Sequence, residues 1–156
     1  FQSPGSATVV VDYAHTPDAL ERALVTCRKH CQGQLWSVFG CGGDRDTGKR
    51  PLMGRIASEL SDCVVLTSDN PRSEPPQAIL NEIRAGMTKP PMREEIDRSM
   101  AIRFAVENAS SNDYILIAGK GHESTQVIGQ TIRPFSDRVE VARLFGLMDQ
   151  EVQHAS

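Results

Sequence analysis

The sequence lacks the marks of several common protein classes. Positive charge is not in excess: 17 Lys and Arg stand against 20 Asp and Glu, a formal net charge of −3. No basic face is implied, which argues against a nucleic-acid or membrane-surface partner. No apolar run approaches the roughly 20 residues needed to cross a bilayer. The opening Phe1-Gln2-Ser3-Pro4 has neither the basic stretch nor the apolar core of a secretory leader. It also lacks an initiator Met, so the chain is expected to be a piece of something longer. No Cys-x-x-Cys pair occurs among Cys27, Cys31, Cys41 and Cys63. Cys27 and Cys31 lie four apart on an expected helix, with His30 beside them. A zinc site would need four ligands in tetrahedral reach. The plainer reading is free, mostly buried thiols in a reducing cytoplasm. Internal repeats, low-complexity segments and linkers are missing too, so residues 1–156 are expected to form one domain.

What is present is an alternation of apolar, β-branched runs with helical patterns. Thr8 to Asp12, Leu35 to Phe39, Cys63 to Thr67 and Tyr114 to Ala118 read as buried strands. Thr16 begins a helix with Pro17 at its first position. Further helices are expected from Pro51 to about Leu60, Pro75 to Ala85, Arg98 to Asn108, and from a Ser136 cap through Phe145. Thr88 to Glu95 reads as a loop or short edge strand. Gln126 to Ile128 and Thr131 to Arg133 form a hairpin around Gly129-Gln130. The polar tail beyond Asp149 is expected to fray. The fold class is therefore α/β and Rossmann-like: a mostly parallel twisted sheet with helices on both faces and a C-terminal antiparallel hairpin. The hairpin could add an antiparallel strand to the sheet.

In open α/β sheets, ligands bind outside the carboxyl ends of the strands. Four polar loops fall there: Asp12-Tyr13-Ala14-His15, Gly40 to Arg50, Asp69 to Arg72, and Gly119 to Glu123. Gly43 and Gly48-Lys49 have the spacing of a phosphate-binding loop, but Arg50 stands where Ser or Thr should hold magnesium. Asp44 and Asp46 would repel phosphate. A glycine-rich turn with solvated charges, or Arg45 turned inward as a carboxylate fork, are the other readings. Asp69-Asn70-Pro71-Arg72 complements a zwitterion: Arg72 and Asn70 for a carboxylate, Asp69 for an ammonium. An Asx turn with Arg72 solvated is the plainer alternative. In Gly119-Lys120-Gly121-His122-Glu123 the glycines let backbone approach a ligand, and Glu123 supplies a second anion. No Ser-His-Asp arrangement or metal-binding set is evident. The domain is expected to position a substrate, with no catalytic nucleophile and no metal of its own.

VVVDYAHTPDAL (Val9 to Leu20), FGCGGDRDTGKRPLMG (Phe39 to Gly54), TSDNPRSEPP (Thr67 to Pro76), AGKGHE (Ala118 to Glu123) and SDRVEVARLFG (Ser136 to Gly146) together resemble the C-terminal domain of MurE-type Mur ligases. The likeness runs in order over nearly the whole chain. It implies a cytoplasmic, peptidoglycan-building enzyme that forms an amide with ATP and Mg²⁺. The partners implied are meso-diaminopimelate and a UDP-N-acetylmuramoyl-dipeptide, the latter held by two further domains. By position, Arg45, Asp69, Asn70, Arg72, Gly119 and Glu123 match diaminopimelate-binding residues. Asp12 and His15 match positions near the nucleotide once the domains close. Homologues that add L-lysine typically lack the arginine at the fourth place of the signature, so Arg72 implies meso-diaminopimelate. The family's ATP loop, its carbamoylated lysine and its UDP-sugar residues are not in this chain, nor is the arginine that usually precedes the first strand. The chain alone is expected to be inactive. A free-standing nucleotide- or phosphate-binding module, a non-catalytic interaction domain and an L-lysine-adding homologue remain the alternatives.

Overall fold

The computed structural model describes residues 1–147; the tail expected to fray lies outside them. In chain order the elements are β1 (Thr8–Asp12), α1 (Pro17–His30), β2 (Leu35–Phe39), α2 (Lys49–Leu60), β3 (Cys63–Leu66), α3 (Pro76–Ala85), β4 (Arg93–Glu94), α4 (Arg98–Asn108), β5 (Tyr114–Ala118), β6 (Thr125–Ile128), β7 (Thr131–Pro134) and α5 (Asp137–Leu144). Five strands form a parallel sheet in the order β1-β5-β2-β3-β4. All its strands point the same way, so their carboxyl ends share one rim.

The period-two alternation of the strands splits the core in two. Leu35, Phe39, Val64, Leu66, Leu116 and Ala118 face one side and pack on Leu20 and Leu24 of α1, Met53 and Ala57 of α2, and Ile79, Leu80 and Ile83 of α3. Their neighbours Trp36, Val38, Cys63, Val65, Ile115 and Ile117 face the other side, against Ala101, Ile102 and Ala105 of α4 and Val141 of α5. Both faces of the sheet are covered, which explains why the central strands read as unbroken apolar runs. Each fully buried Leu or Ile contributes about 1.5–3 kcal/mol of transfer free energy.

Local chemistry sets the helix ends. The Thr16 hydroxyl accepts from Ala19 N at 3.2 Å, with Pro17 at the first position. The Asp97 carboxylate accepts from Met100 N at 3.2 Å, and the Ser136 hydroxyl from Val139 N at 3.3 Å. Each satisfies an orphan amide of the first turn. Helix α2 starts at Lys49, two residues before the expected Pro51. Proline is tolerated there because first-turn amides have no intrahelical partner to lose. Strand β3 ends at Leu66, one residue short of the expected Thr67.

The hairpin β6–β7 is antiparallel, with Gly129 at φ +59° in its tip. It does not extend the main sheet, as the sequence had allowed. It forms a separate two-stranded sheet, bridged to the loop after β3 through Arg72 and Ile128.

Candidate functional site

The loop after β3 is locked from three directions. Gln126 Nε2 donates to Asp69 O at 2.8 Å, Gly43 N to Asn70 O at 2.8 Å, and Glu74 N to Pro71 O at 3.1 Å. Arg72 N donates to Val127 O at 3.0 Å, and Gly129 N donates to Arg72 O at 2.6 Å. Every carbonyl from Asp69 to Arg72 thus has a donor. This clamping holds Arg72 at φ +52°, a left-handed conformation that non-glycine residues rarely adopt. Such strain, imposed by the surroundings, is common where a side chain must be aimed. The alternative of an Asx turn closed by Asn70 is not what forms: the Asn70 side chain reaches instead to Lys120, Glu123 and Val127 N.

Beneath this loop lies a buried ion pair. Arg98, at the start of α4, and Asp137, at the start of α5, are both fully buried. The guanidinium binds both carboxylate oxygens, at 2.7 and 2.8 Å. Its remaining donors reach Ser68 O at 2.9 Å and Ala118 O at 3.1 Å. Those carbonyls immediately precede Asp69 and Gly119. One side chain therefore ties together the two loops that carry the site, across the intervening end of β2. The loops come close enough that a Cβ on Gly119 (φ +118°) would lie 2.6 Å from Asp69 Oδ2. Only glycine fits that backbone and that space.

A cleft of about 420 Å³ opens on the rim. His15, Arg45, Asp69, Arg72 and Gly119 line it, together with Tyr13, Thr16, Gly42, Asp46 and Lys49. Five of the eight residues singled out from sequence therefore meet in one space. The Arg45 guanidinium is exposed and contacts only Asp44 O, at 2.8 Å. The Arg72 guanidinium gives one bond to Gly43 O at 2.9 Å. Both retain most of their five donors. Lys49 Nζ donates to His15 O at 2.6 Å. With Asp69 and Asp46 also in its lining, the cleft offers both signs of charge, the pattern a zwitterion needs.

The other three residues fall outside that lining. Asn70 is buried; its oxygen accepts from Lys120 and Val127, and its nitrogen donates to Glu123. Its expected bond to a ligand carboxylate therefore competes with protein contacts already made. Glu123 stands beside it. Asp12 lines two neighbouring cavities along β1, and its carboxylate accepts from Ala14 N at 2.8 Å.

Sequence reasoning missed three contributors: Arg98 with Asp137, the β6 residues Gln126 and Val127, and Lys120. Lys120 is fully buried, and desolvation lowers its pKa, opposed by the charges of Asp69 and Glu123. A lysine between two glycines at a strand end was the available signal.

Part of the Gly40 to Arg50 loop is committed to the protein itself. Gly43 N, Gly48 N and Arg50 N donate to Asn70 O, Asp46 Oδ1 and Thr47 O. The Arg50 side chain turns inward to Glu82 at 2.5 Å, to Glu74 and to Gly42 O. Asp44 accepts from the hydroxyl and amide of Ser73, and these bonds lower its pKa. Cys27, Cys41 and Cys63 are buried free thiols, while Cys31 is partly exposed. Burial pushes Cys41 up to about 12 and Cys27 to about 11, so neither is a thiolate at neutral pH. Among the described residues no three His, Cys, Asp or Glu side chains converge as a metal site, and no helix is long and apolar enough to cross a membrane.

Comparison with known proteins identifies the family and agrees with the fold. The family model described as "Mur ligase, glutamate ligase domain" matches residues 1–121. A UDP-N-acetylmuramoyl-L-alanyl-D-glutamate–2,6-diaminopimelate ligase of Haemophilus influenzae (strain PittGG) is 56% identical over 142 residues, covering 88% of this chain and 28% of that protein. A solved structure of a ligase of the same name superposes with a TM-score of 0.84 at 45% identity, over 96% of this chain and 33% of the other. A bifunctional folylpolyglutamate synthase/dihydrofolate synthase of Yersinia pestis shares the fold alone, at TM-score 0.55 and 22% identity over 71% of this chain and 25% of its own. The chain spans about a third or less of the length of these relatives.

Proposed function

Since the chain belongs to the Mur ligase, glutamate ligase domain family, we propose that it is the amino-acid-binding domain of a three-domain, cytoplasmic ligase. That enzyme joins meso-diaminopimelate to UDP-N-acetylmuramoyl-L-alanyl-D-glutamate at the expense of ATP. Residues 1–156 act as one domain, which selects and aligns the nucleophilic substrate. ATP and Mg²⁺ are held mainly by the other domains. Among the described residues no three His, Cys, Asp or Glu side chains form a metal site, and three amides of the Gly40 to Arg50 loop, those of Gly43, Gly48 and Arg50, already have protein partners. Asp12 and His15 come near the nucleotide when the domains close.

The observation that carries this reading is the pair of underused guanidiniums, Arg45 and Arg72, lining one cleft with Asp69. The guanidiniums receive the carboxylate at the distal end of diaminopimelate. Asp69 and Glu123 receive its ammonium, and Gly119 lets the ligand close to the backbone. L-Lysine lacks the second carboxylate. Binding it would leave a desolvated guanidinium unpaired, at a cost of about 1–3 kcal/mol or more, and sites of this kind reject such analogues by up to roughly 10⁴.

Calorimetric titration tests the reading. Weak binding of meso-diaminopimelate, absent for L-lysine and lost in Arg72→Ala, is expected. Binding of ATP without the amino acid would point to a nucleotide module instead, and L-lysine binding as well as diaminopimelate would overturn the specificity. Mixed with ATP, UDP-dipeptide and diaminopimelate, the chain alone should release no phosphate; release would show that the other domains are dispensable.

A further inference from the structure

Lys120 follows β5 with 0% of its surface exposed. A buried ammonium is costly unless it is paired. Its nearest carboxylates, Asp69 Oδ1 at 3.9 Å and Glu123 Oε1 at 3.8 Å, neutralise it from beyond hydrogen-bonding distance. Its direct bond goes to an amide oxygen, Asn70 Oδ1, at 2.8 Å. The same oxygen accepts from Val127 N at 3.0 Å, and Asn70 Nδ2 donates to Glu123 Oε1 at 3.2 Å.

This network admits one orientation of the amide. An ammonium and a backbone N–H can only donate, and an ionised carboxylate can only accept. Turned over, Asn70 would set its nitrogen against two donors and its oxygen against Glu123. Lys120 also lies 3.9 and 3.8 Å from the Asp69 and Glu123 carboxylates and offsets their mutual repulsion. Without it Glu123, which is partly open to solvent, would gain by turning to water.

We propose that Lys120 is a positioning residue of the cleft: through the Asn70 amide it holds Glu123 beside Asp69 as a paired acidic wall for the ammonium group of a ligand. The ligand side of this statement rests on the diamino-acid reading above. The arrangement of the three side chains does not.

Two measurements test it. In the wild-type chain, nuclear Overhauser contacts of the Asn70 side-chain amide protons should run to the Glu123 side chain and not to the Lys120 ε-methylene; the reverse overturns the proposal. In Lys120→Met, those contacts should vanish and the affinity for meso-diaminopimelate should fall at least tenfold, in this chain and in the full-length protein that carries it. The Arg98 Nε–H resonance, buried in its ion pair, should stay in place and report an intact fold. Affinity within twofold of wild type, or a retained Asn70–Glu123 contact, sinks the idea. If Lys120→Met does not fold, the wild-type contacts decide alone. If the wild-type protein binds no meso-diaminopimelate, the functional reading fails, while the role of Lys120 over Asn70 still stands or falls on the contacts.

Discussion

Four arginines surround one rim, and they divide into two pairs. Arg98 and Arg50 are buried and spend their guanidiniums on the protein itself: Arg98 on Asp137, Ser68 O and Ala118 O, Arg50 on Glu74, Glu82 and Gly42 O. Arg45 and Arg72 each give a single bond to a backbone carbonyl and keep the rest of their donors. The residue type is the same, so the difference lies in what remains unsatisfied. A buried guanidinium held by carboxylates and carbonyls of the protein builds the site, even where one donor, Arg50 Nε, has no partner, and one that lines the cleft with a single protein bond is available to a ligand. Arg72 adds a second sign of purpose, since its backbone is held in a conformation it would not choose.

This division has measurable consequences. The largest is for Arg98→Met, which strands Asp137 as a buried, unpaired charge and frees two loop carbonyls. Removing one member of such a pair costs about 3–5 kcal/mol, read as a lowered urea midpoint. A loss under 1 kcal/mol would show that the pair does not brace the loops. Next is Arg72→Gly, where binding and stability should part company. Diaminopimelate affinity should drop roughly 10–100-fold, the worth of a charged hydrogen bond. Stability should hold or rise by up to about 1 kcal/mol, because glycine accepts the left-handed backbone without strain. Loss of stability in Arg72→Gly would place Arg72 with the structural pair. Arg50→Met should cost less than Arg98→Met, on the order of 1–3 kcal/mol, because Glu74 and Glu82 are partly exposed and can be rehydrated.

The smallest effect is a pH dependence outside the arginines. Asp44 has a folded pKa below its ordinary 3.8, owing chiefly to the Ser73 hydrogen bonds. Its contribution is therefore present above pH 3.8 and disappears as pH falls through the lower, folded value. Asp44→Asn should lower the melting temperature slightly at pH 6, with the gap to wild type closing in stronger acid. A gap that stays constant with pH would remove Asp44 from this account.

Much of the scaffold was legible because its signals are local. Tyr114 to Ala118 and Arg98 to Asn108 have the bounds that apolar runs and caps predict. The rim was legible for a topological reason, since parallel strands deliver their following loops to one side. What could not be read were partnerships across long stretches of chain. Arg98 meets Asp137 across 39 residues, and Lys120 meets Asn70 across 50; no periodicity encodes either. In the sequence Arg98 is only the polar first residue of an expected helix, and Lys120 only one residue of a glycine-rich loop. The hairpin was found as a hairpin, but its attachment was not, because alternation within a strand says nothing about which edge it will join.

That attachment makes the hairpin a reading frame. Gln126 and Val127 are consecutive, so one turns its side chain to the loop while the other offers its backbone. Side-chain direction alternates residue by residue, so inserting or deleting one residue in β6 would exchange their roles and release Asp69, Asn70 and Arg72 together. The Gly129-Gln130 tip is exposed and looks like a natural place to splice in a tag or a reporter, yet Gly129 N is bonded to Arg72 O. It is instead a part of the molecule where length, more than chemistry, is constrained.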